Sequence, residues 1–288
     1  TDTTNKLTIT DIINLSNEFQ FPDYQYDEIF IGFSNDNQWF KFELINNNPK
    51  ARTVILQIKN PLIWELELFS VINNKLEKFP KTGIRHNFKT RQINSRYYAY
   101  ELQLEPNIPH LFFLRINNNS NTTNLPINLF IPSKYSQLLA KNNLAHGLIY
   151  GIIITVLIST FILWLANLKE KGIKYYIWFF AYVLFIGLFN LSIDGYAFQY
   201  IWPNQPGFNT LAIILFPAFG FYFLSRFTCD FFDLKKNNKI LQNVLIVLGY
   251  LTLIPAILAL LERVPSGISI SMLIIFIITL NIAIIYTA

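Results

Sequence analysis

From residue 146 onward, apolar positions run almost unbroken in five blocks, at 146–167, 174–193, 208–228, 240–261 and 267–287. Each is close to the roughly 20 residues that carry a helix across about 30 Å of hydrocarbon, and each is nearly free of charge at its middle. Backbone groups in lipid must be satisfied within the segment, so the blocks predict five membrane-spanning helices. Buried helices of a large soluble enzyme seldom run this long without a polar face.

Between residues 28 and 131 the period is two. QWFKFELIN sets Phe40, Phe42 and Leu44 against Trp39, Lys41 and Glu43; LIWELEL sets Leu62, Trp64, Leu66 and Leu68 against Ile63, Glu65 and Glu67, which assigns Trp64 to the core. RTVILQI, RYYAYELQL, HLFFLRIN and LPINLFI add similar signals, separated by turn clusters such as INNNPK, VINNK and NNNSNTTN. Short alternating strands with frequent turns predict an antiparallel, jelly-roll-like β-sandwich. The expected organisation is a lead-in at 1–27, an all-β sandwich at 28–132, a short linker at 133–145 and an all-α membrane region at 146–288.

Charge sharpens this division. Residues 1–141 hold 15 Lys and Arg and 13 Asp and Glu, whereas residues 142–288 hold 8 and 5. Basic residues mark the inner side of a membrane. Lys169, Lys171 and Lys174 follow the first span, and Arg226, Lys235, Lys236 and Lys239 follow the third; only Arg263 lies on the opposite side after it. The N-terminal half is therefore expected outside and the C-terminal end inside, for five spans or for seven. The start at Thr1 suggests that a signal peptide has been removed, and the stop within an apolar run suggests a missing C-terminal part. DGYAFQYIWPNQPGFN, at 194–209, falls on the outer side. Tyr196, Tyr200 and Trp202 suit the headgroup layer, and Asp194, Tyr196, Trp202, Asn204 and Gln205 are candidates for contact between the sandwich and the helices.

Chemistry is sparse. One cysteine, Cys229, excludes an intrachain disulfide framework, and three scattered histidines give no metal-ligand spacing. Basic residues do not cluster as a nucleic-acid footprint. No nucleophile with a base, carboxylate pair or Gly-rich phosphate loop is present, so neither enzyme activity nor a cofactor is expected within these residues. NNS at 118–120 and NTT at 121–123 match glycosylation sequons. Inside the spans, Asn190, Arg226, Asp230 and Asn281 are the polar groups, Pro217 and Pro255 the potential kinks, and Arg226 and Asp230 are spaced to pair. In the sandwich, an aromatic face beside polar groups is what holds a sugar. Trp39, sharing a face with Lys41, and Tyr97 are the ring candidates, with Lys41 and Arg91 as polar partners; packing beneath a loop or against the membrane domain is the alternative for both rings.

The chain resembles the bacterial seven-transmembrane receptors with diverse intracellular signalling modules, including their second type of extracellular domain. In the soluble half the resemblance rests on GFSNDNQWFKFELIN, PLIWELELFSV, Thr82-Gly83 followed by Phe88 and Arg91, HLFFLRINNNS and LPINLFIP. In the membrane half it rests on HGLIYGIIITVLI, KGIKYYIWFFAYV, GYAFQYIWP and FLSRFTCDFFDLKKNNKILQNVL. It implies a periplasmic sandwich that binds a carbohydrate or related small ligand, an inner-membrane helical bundle in the lipid bilayer, a homodimer, and a cytoplasmic kinase, cyclase or phosphatase output. A transporter or membrane-bound enzyme with an accessory sugar-binding domain is the competing reading.

Overall fold

The computed structural model describes residues 1–18, 29–31, 34–73, 75–117, 123–168, 174–261 and 266–285. Lys169, Lys171, Arg263 and most of the two sequons lie outside them. The chain forms two compact units: Thr1–Ala140 together with Asp194–Gly207, and Lys141–Ile193 together with Phe208–Ala288.

In the first unit, helix α1 (Ile9–Glu18) precedes strands β1 (Ile29–Ile31), β2 (Gln38–Ile45), β3 (Arg52–Ile58), β4 (Glu65–Ile72), β5 (Lys75–Lys78), β6 (Tyr98–Leu104), β7 (Pro109–Asn117), β8 (Thr123–Leu125) and β9 (Ile127–Phe130). All pairings are antiparallel. One sheet has the order β2-β7-β4-β5, the second β6-β3-β9, and β1 pairs with β8. Only Pro126 separates β8 from β9, because proline has no N–H to continue a ladder. Its carbonyl still accepts from Lys59 N–H at 2.9 Å, so the run of bonds along β3 is kept.

Even-numbered positions fill the space between the sheets. Leu66 and Leu68 of β4, Tyr98, Tyr100, Leu102 and Leu104 of β6, and Phe112, Leu114 and Ile116 of β7 form one buried cluster, with Phe40, Phe42 and Leu44 of β2 against it. Each such side chain contributes about 1.5–3 kcal/mol. Trp64 is not part of this core. The extended register begins only at Glu65, so Ile63 is the buried residue of the preceding turn, and Trp64 is half-buried with the Arg85 guanidinium 5.7 Å from its ring.

The opposite face of β2, β4 and β7 is also covered, which corrects the placement of Trp39. Trp39 is 7% exposed and stacks on Phe69 at 5.8 Å, in a second cluster with Phe113 and Ile12. Ile12 comes from α1, whose Ile9, Ile12 and Ile13 share a face at helical spacing. Thr8 and Asp11 start that helix as a reciprocal cap: Thr8 N–H and Oγ1 both donate to the Asp11 carboxylate, at 2.8 and 2.7 Å. Part of the expected lead-in is thus integral to the sandwich. Beneath α1, Glu67 is buried and meets Arg115, with Lys81 at 3.5 Å.

The expected linker at 133–145 is helical. It forms the first turns of α2 (Pro132–Ala166), with proline at the opening position where its missing N–H costs nothing. Tyr135 is buried there with Ile55 and Ala99, and Leu139 packs beside them.

The second unit is helical. It contains the remainder of α2, α3 (Lys174–Ile193), α5 (Pro206–Phe231) from Phe208 onward, and α6 (Leu234–Asn237), α7 (Lys239–Leu251), α8 (Leu253–Leu260) and α9 (Ser266–Ile285), while the short α4 (Tyr196–Tyr200) belongs to the first unit. Among the described residues, five helical stretches are long and apolar enough to span a membrane, α7 and α8 together making one. That span breaks at Thr252, three residues before Pro255, and Thr252 Oγ1 donates to the carbonyls of Gly249 and Ala218 at 2.7 and 3.0 Å. Helices α3 and α5 pack through aromatic pairs such as Phe185–Phe219 and Trp178–Phe223. Gly220 lets Ile186 approach where a Cβ would meet it at 2.8 Å, the close packing that small residues permit in bundles. Among the described residues Arg226 and Asp230 form no salt bridge. Both turn to Trp178 instead: Asp230 accepts its indole N–H at 2.9 Å, and the Arg226 guanidinium lies 5.6 Å from its ring.

Because Trp39 fills the layer under α1, Trp39→Ala is expected to destabilise the first unit by about 3–5 kcal/mol. Denaturant unfolding followed by tryptophan-independent circular dichroism measures this; a loss below about 1 kcal/mol would place Trp39 outside the core.

Candidate functional site

Two features of the first unit bring chemistry together. The first is a cleft of about 460 Å³ at the open edge between the sheets, within the range of small-ligand sites. Its floor is the end of the core: Phe79, Leu102 and Phe112, with Ile72. Its polar lining comes from Ser70 and His110 on inward positions of β4 and β7, from Glu77 of β5, from Glu101 and Gln103 on the edge strand β6, and from Gln92 and Glu105. Among the described residues no lysine or arginine lines it.

His110 has an assignable proton. It is 1% exposed, and its Nε2 accepts from Glu105 N–H at 3.0 Å. An accepting Nε2 requires neutral imidazole with the proton on Nδ1. Burial lowers the His110 pKa, opposed by the nearby Glu105 carboxylate, which is consistent with that state. Nδ1 is buried with no hydrogen-bond partner among the described residues. Ser70 Oγ donates to Glu77 at 3.3 Å, and Glu101 N–H donates to Gln92 Oε1 at 3.0 Å.

The second feature is a clip that folds residues 194–207 into the sandwich unit. Arg91 is buried, and its Cζ lies 4.2 Å from the Tyr98 ring centre, 4.5 Å from Phe88 and 5.8 Å from Phe198. Its Nη1 donates to the carbonyls of Ser95, at 3.0 Å, and Arg96. Arg96 is held the same way, between Tyr97 at 4.5 Å and Tyr196 at 4.6 Å, and donates to the Asp194 carbonyl at 3.2 Å. Phe88 N–H donates to the Pro203 carbonyl at 2.9 Å, and Gln199 Nε2 to Asn94 Oδ1 at 3.0 Å. Gly195 makes the approach possible: its φ is +81°, and a Cβ there would lie 2.8 Å from Pro61 Cβ.

The sequence-derived candidates scatter. Arg91 and Tyr97, expected to face a ligand, belong to the clip with Asp194 and Tyr196, expected to contact the sandwich. Trp202 is half-buried in the same segment, while Asn204 and Gln205 are exposed. Trp39 lies under α1, and Lys41 is exposed on β2; neither lines the cleft. Sequence reasoning missed Phe198 and His110. Phe198 looked like one more interfacial ring, and His110 looked isolated because most of its polar neighbours in the cleft, Ser70, Glu77 and Gln92 among them, are distant in sequence.

Family models match the chain along nearly its whole length: 7TMR-DISM extracellular 2 over residues 1–130 and 7TM diverse intracellular signalling over residues 142–288. The chain belongs to the 7TM diverse intracellular signalling family. No curated protein matches it. A 7TMR-DISM chain is receptor-like, with a sensory extracellular domain and a membrane-spanning region, and both matched domains are sensory, not catalytic. The extracellular match ends at residue 130, yet the folded unit also takes in 194–207, which lies within the span of the second match.

With its pKa lowered from 6.5 by burial, His110 contributes stability above about pH 6.5 that is lost as the pH falls through its folded value. His86, lowered first by burial and opposed by Glu65, acts with the same sign. Unfolding temperature is therefore expected to drop between about pH 7 and pH 5, with a shallower slope in His110→Gln. An identical slope in that variant would show that His110 is solvated in the folded state.

Proposed function

We propose that the chain is a bacterial inner-membrane receptor whose sandwich, read as a jelly roll, lies in the periplasm and binds a small carbohydrate-like ligand in the cleft. The signal passes to the helices through residues 194–207, toward a cytoplasmic output. The strand orders support the jelly-roll reading: joining β8 and β9 across Pro126 gives two four-stranded sheets, β1-β8/9-β3-β6 and β2-β7-β4-β5. Lys174, Lys235, Lys236 and Lys239, together with Lys169 and Lys171 in the sequence, support the orientation.

One observation carries the relay. Gln92 lines the cleft, bonds the Glu101 amide on its edge strand, and directly follows Arg91, whose guanidinium holds Phe198 of the clip. The clip segment is continuous in sequence with α3 before it and α5 after it. A ligand can shift such an element only by its difference in affinity between two arrangements. Cleft and clip share neighbouring residues, so that difference has a short physical route.

Two measurements test this reading. A side chain at Gly195 is forced into a left-handed conformation costing about 1–2 kcal/mol. Gly195→Ala is therefore expected to raise hydrogen exchange at 194–207 by about 5–30-fold, and also at 91–97, while the inner strands stay protected. Faster exchange confined to 194–207 would show that the clip carries nothing to the sandwich. For orientation, a membrane-impermeant thiol reagent should label Lys75→Cys in intact spheroplasts and Lys236→Cys only after lysis. The reverse pattern would invert the receptor.

A further inference from the structure

We infer that the cleft selects a hydroxylated organic cation of sugar size, an amino sugar or amino alcohol, over neutral and acidic counterparts; this rests on the reading of the cleft as the ligand site. Three exposed acidic residues, Glu77, Glu101 and Glu105, contribute to its lining, with no lysine or arginine among the described lining residues. An acidic ligand would bring like charge into that ring, whereas an ammonium group relieves it and forms charge-assisted hydrogen bonds.

An acidic rim alone would not define a ligand, but His110 adds an independent demand. Its Nδ1–H is a buried donor without a partner, on a residue 1% exposed that lines the cleft. Leaving such a donor unmet is unfavourable, so the inner end of the ligand must present an acceptor oxygen. Phe79 and Phe112, 9% and 1% exposed, make the inner wall of the cleft apolar, so the part of a ligand that reaches it must be C–H rather than charged. Acceptor oxygen inside, apolar face below and ammonium or hydroxyl donors at the rim together describe an amino sugar. Metal ligation is a different demand: no cluster of His, Cys, Asp and Glu among the described residues is close enough for it.

The test is thermal unfolding and calorimetric titration of the whole chain in detergent with D-glucosamine, D-glucose and D-glucuronate at equal millimolar concentrations. Glucosamine is expected to raise the unfolding temperature most, glucose less, and glucuronate not at all. Glu101 is exposed, so Glu101→Gln should leave the fold intact and weaken glucosamine binding about tenfold, while changing glucose binding little. His110→Phe should weaken both sugars. Equal responses to glucosamine and glucuronate, no response to glucosamine, or unchanged affinity in Glu101→Gln would each overturn the inference. So would stabilisation by calcium ions alone. Such a failure is separable from failure of the relay, because the exchange behaviour of Gly195→Ala is measured without any ligand.

Discussion

Two guanidinium groups clamped between aromatic rings decide which parts of this chain fold together. Removing a charge from water costs several kcal/mol, and each ring face returns only about 0.5–2 kcal/mol. Arg91 therefore needs all its neighbours: Tyr98 from the edge strand, Phe88 from a 3-10 turn, the carbonyls of Ser95 and Arg96, and Phe198 from a segment more than a hundred residues away. Arg96 repeats the device with Tyr97 and Tyr196. Without residues 194–207, both charges would lose a covering ring. The sandwich and the segment between the second and third spans are coupled because neither buries its charges and rings without the other.

The same logic separates the two sides of the sandwich. On the face under α1, Glu67 is buried but surrounded by Arg115, Lys78 and Lys81, so its charge is matched within the fold. At the cleft, the carboxylates have no such cations, and the imidazole keeps an unmet donor. Matched charge is structure; unmatched polar groups around an open volume are what a ligand completes.

How much was legible follows from the range of each signal. The spans are written in long apolar runs and the strands in alternation, both local patterns that survive without knowledge of the neighbours. Helix α1 also had a local signature, the Thr8 and Asp11 cap together with Ile9, Ile12 and Ile13 in phase, but ten residues are easily passed over ahead of a β domain. Trp39 shows the limit of alternation. The pattern separates two faces of β2 correctly but cannot say that the second face is covered by a helix. Trp64 shows another limit, since a phase read from a strand does not extend through the turn before it. For residues 194–207, charge suggested the outer side of the membrane and aromatic content suggested an interface. The pairing with Arg91 and Arg96 is non-local and left no periodic trace.

The position of Gln92 gives these features a direction. It stands between an open cleft and a closed clip, with its side chain on the Glu101 amide and its backbone joined to Arg91. In the proposed relay, a group placed against Glu101 acts on the edge strand that Gln92 holds, and Gln92 is the chain neighbour of a buried cation. A guanidinium that loses its rings and carbonyls without regaining water is left as an unpaired buried charge, which costs several kcal/mol. Within that proposed relay, a ligand at the rim biases the clip only by its difference in affinity between two arrangements of that segment.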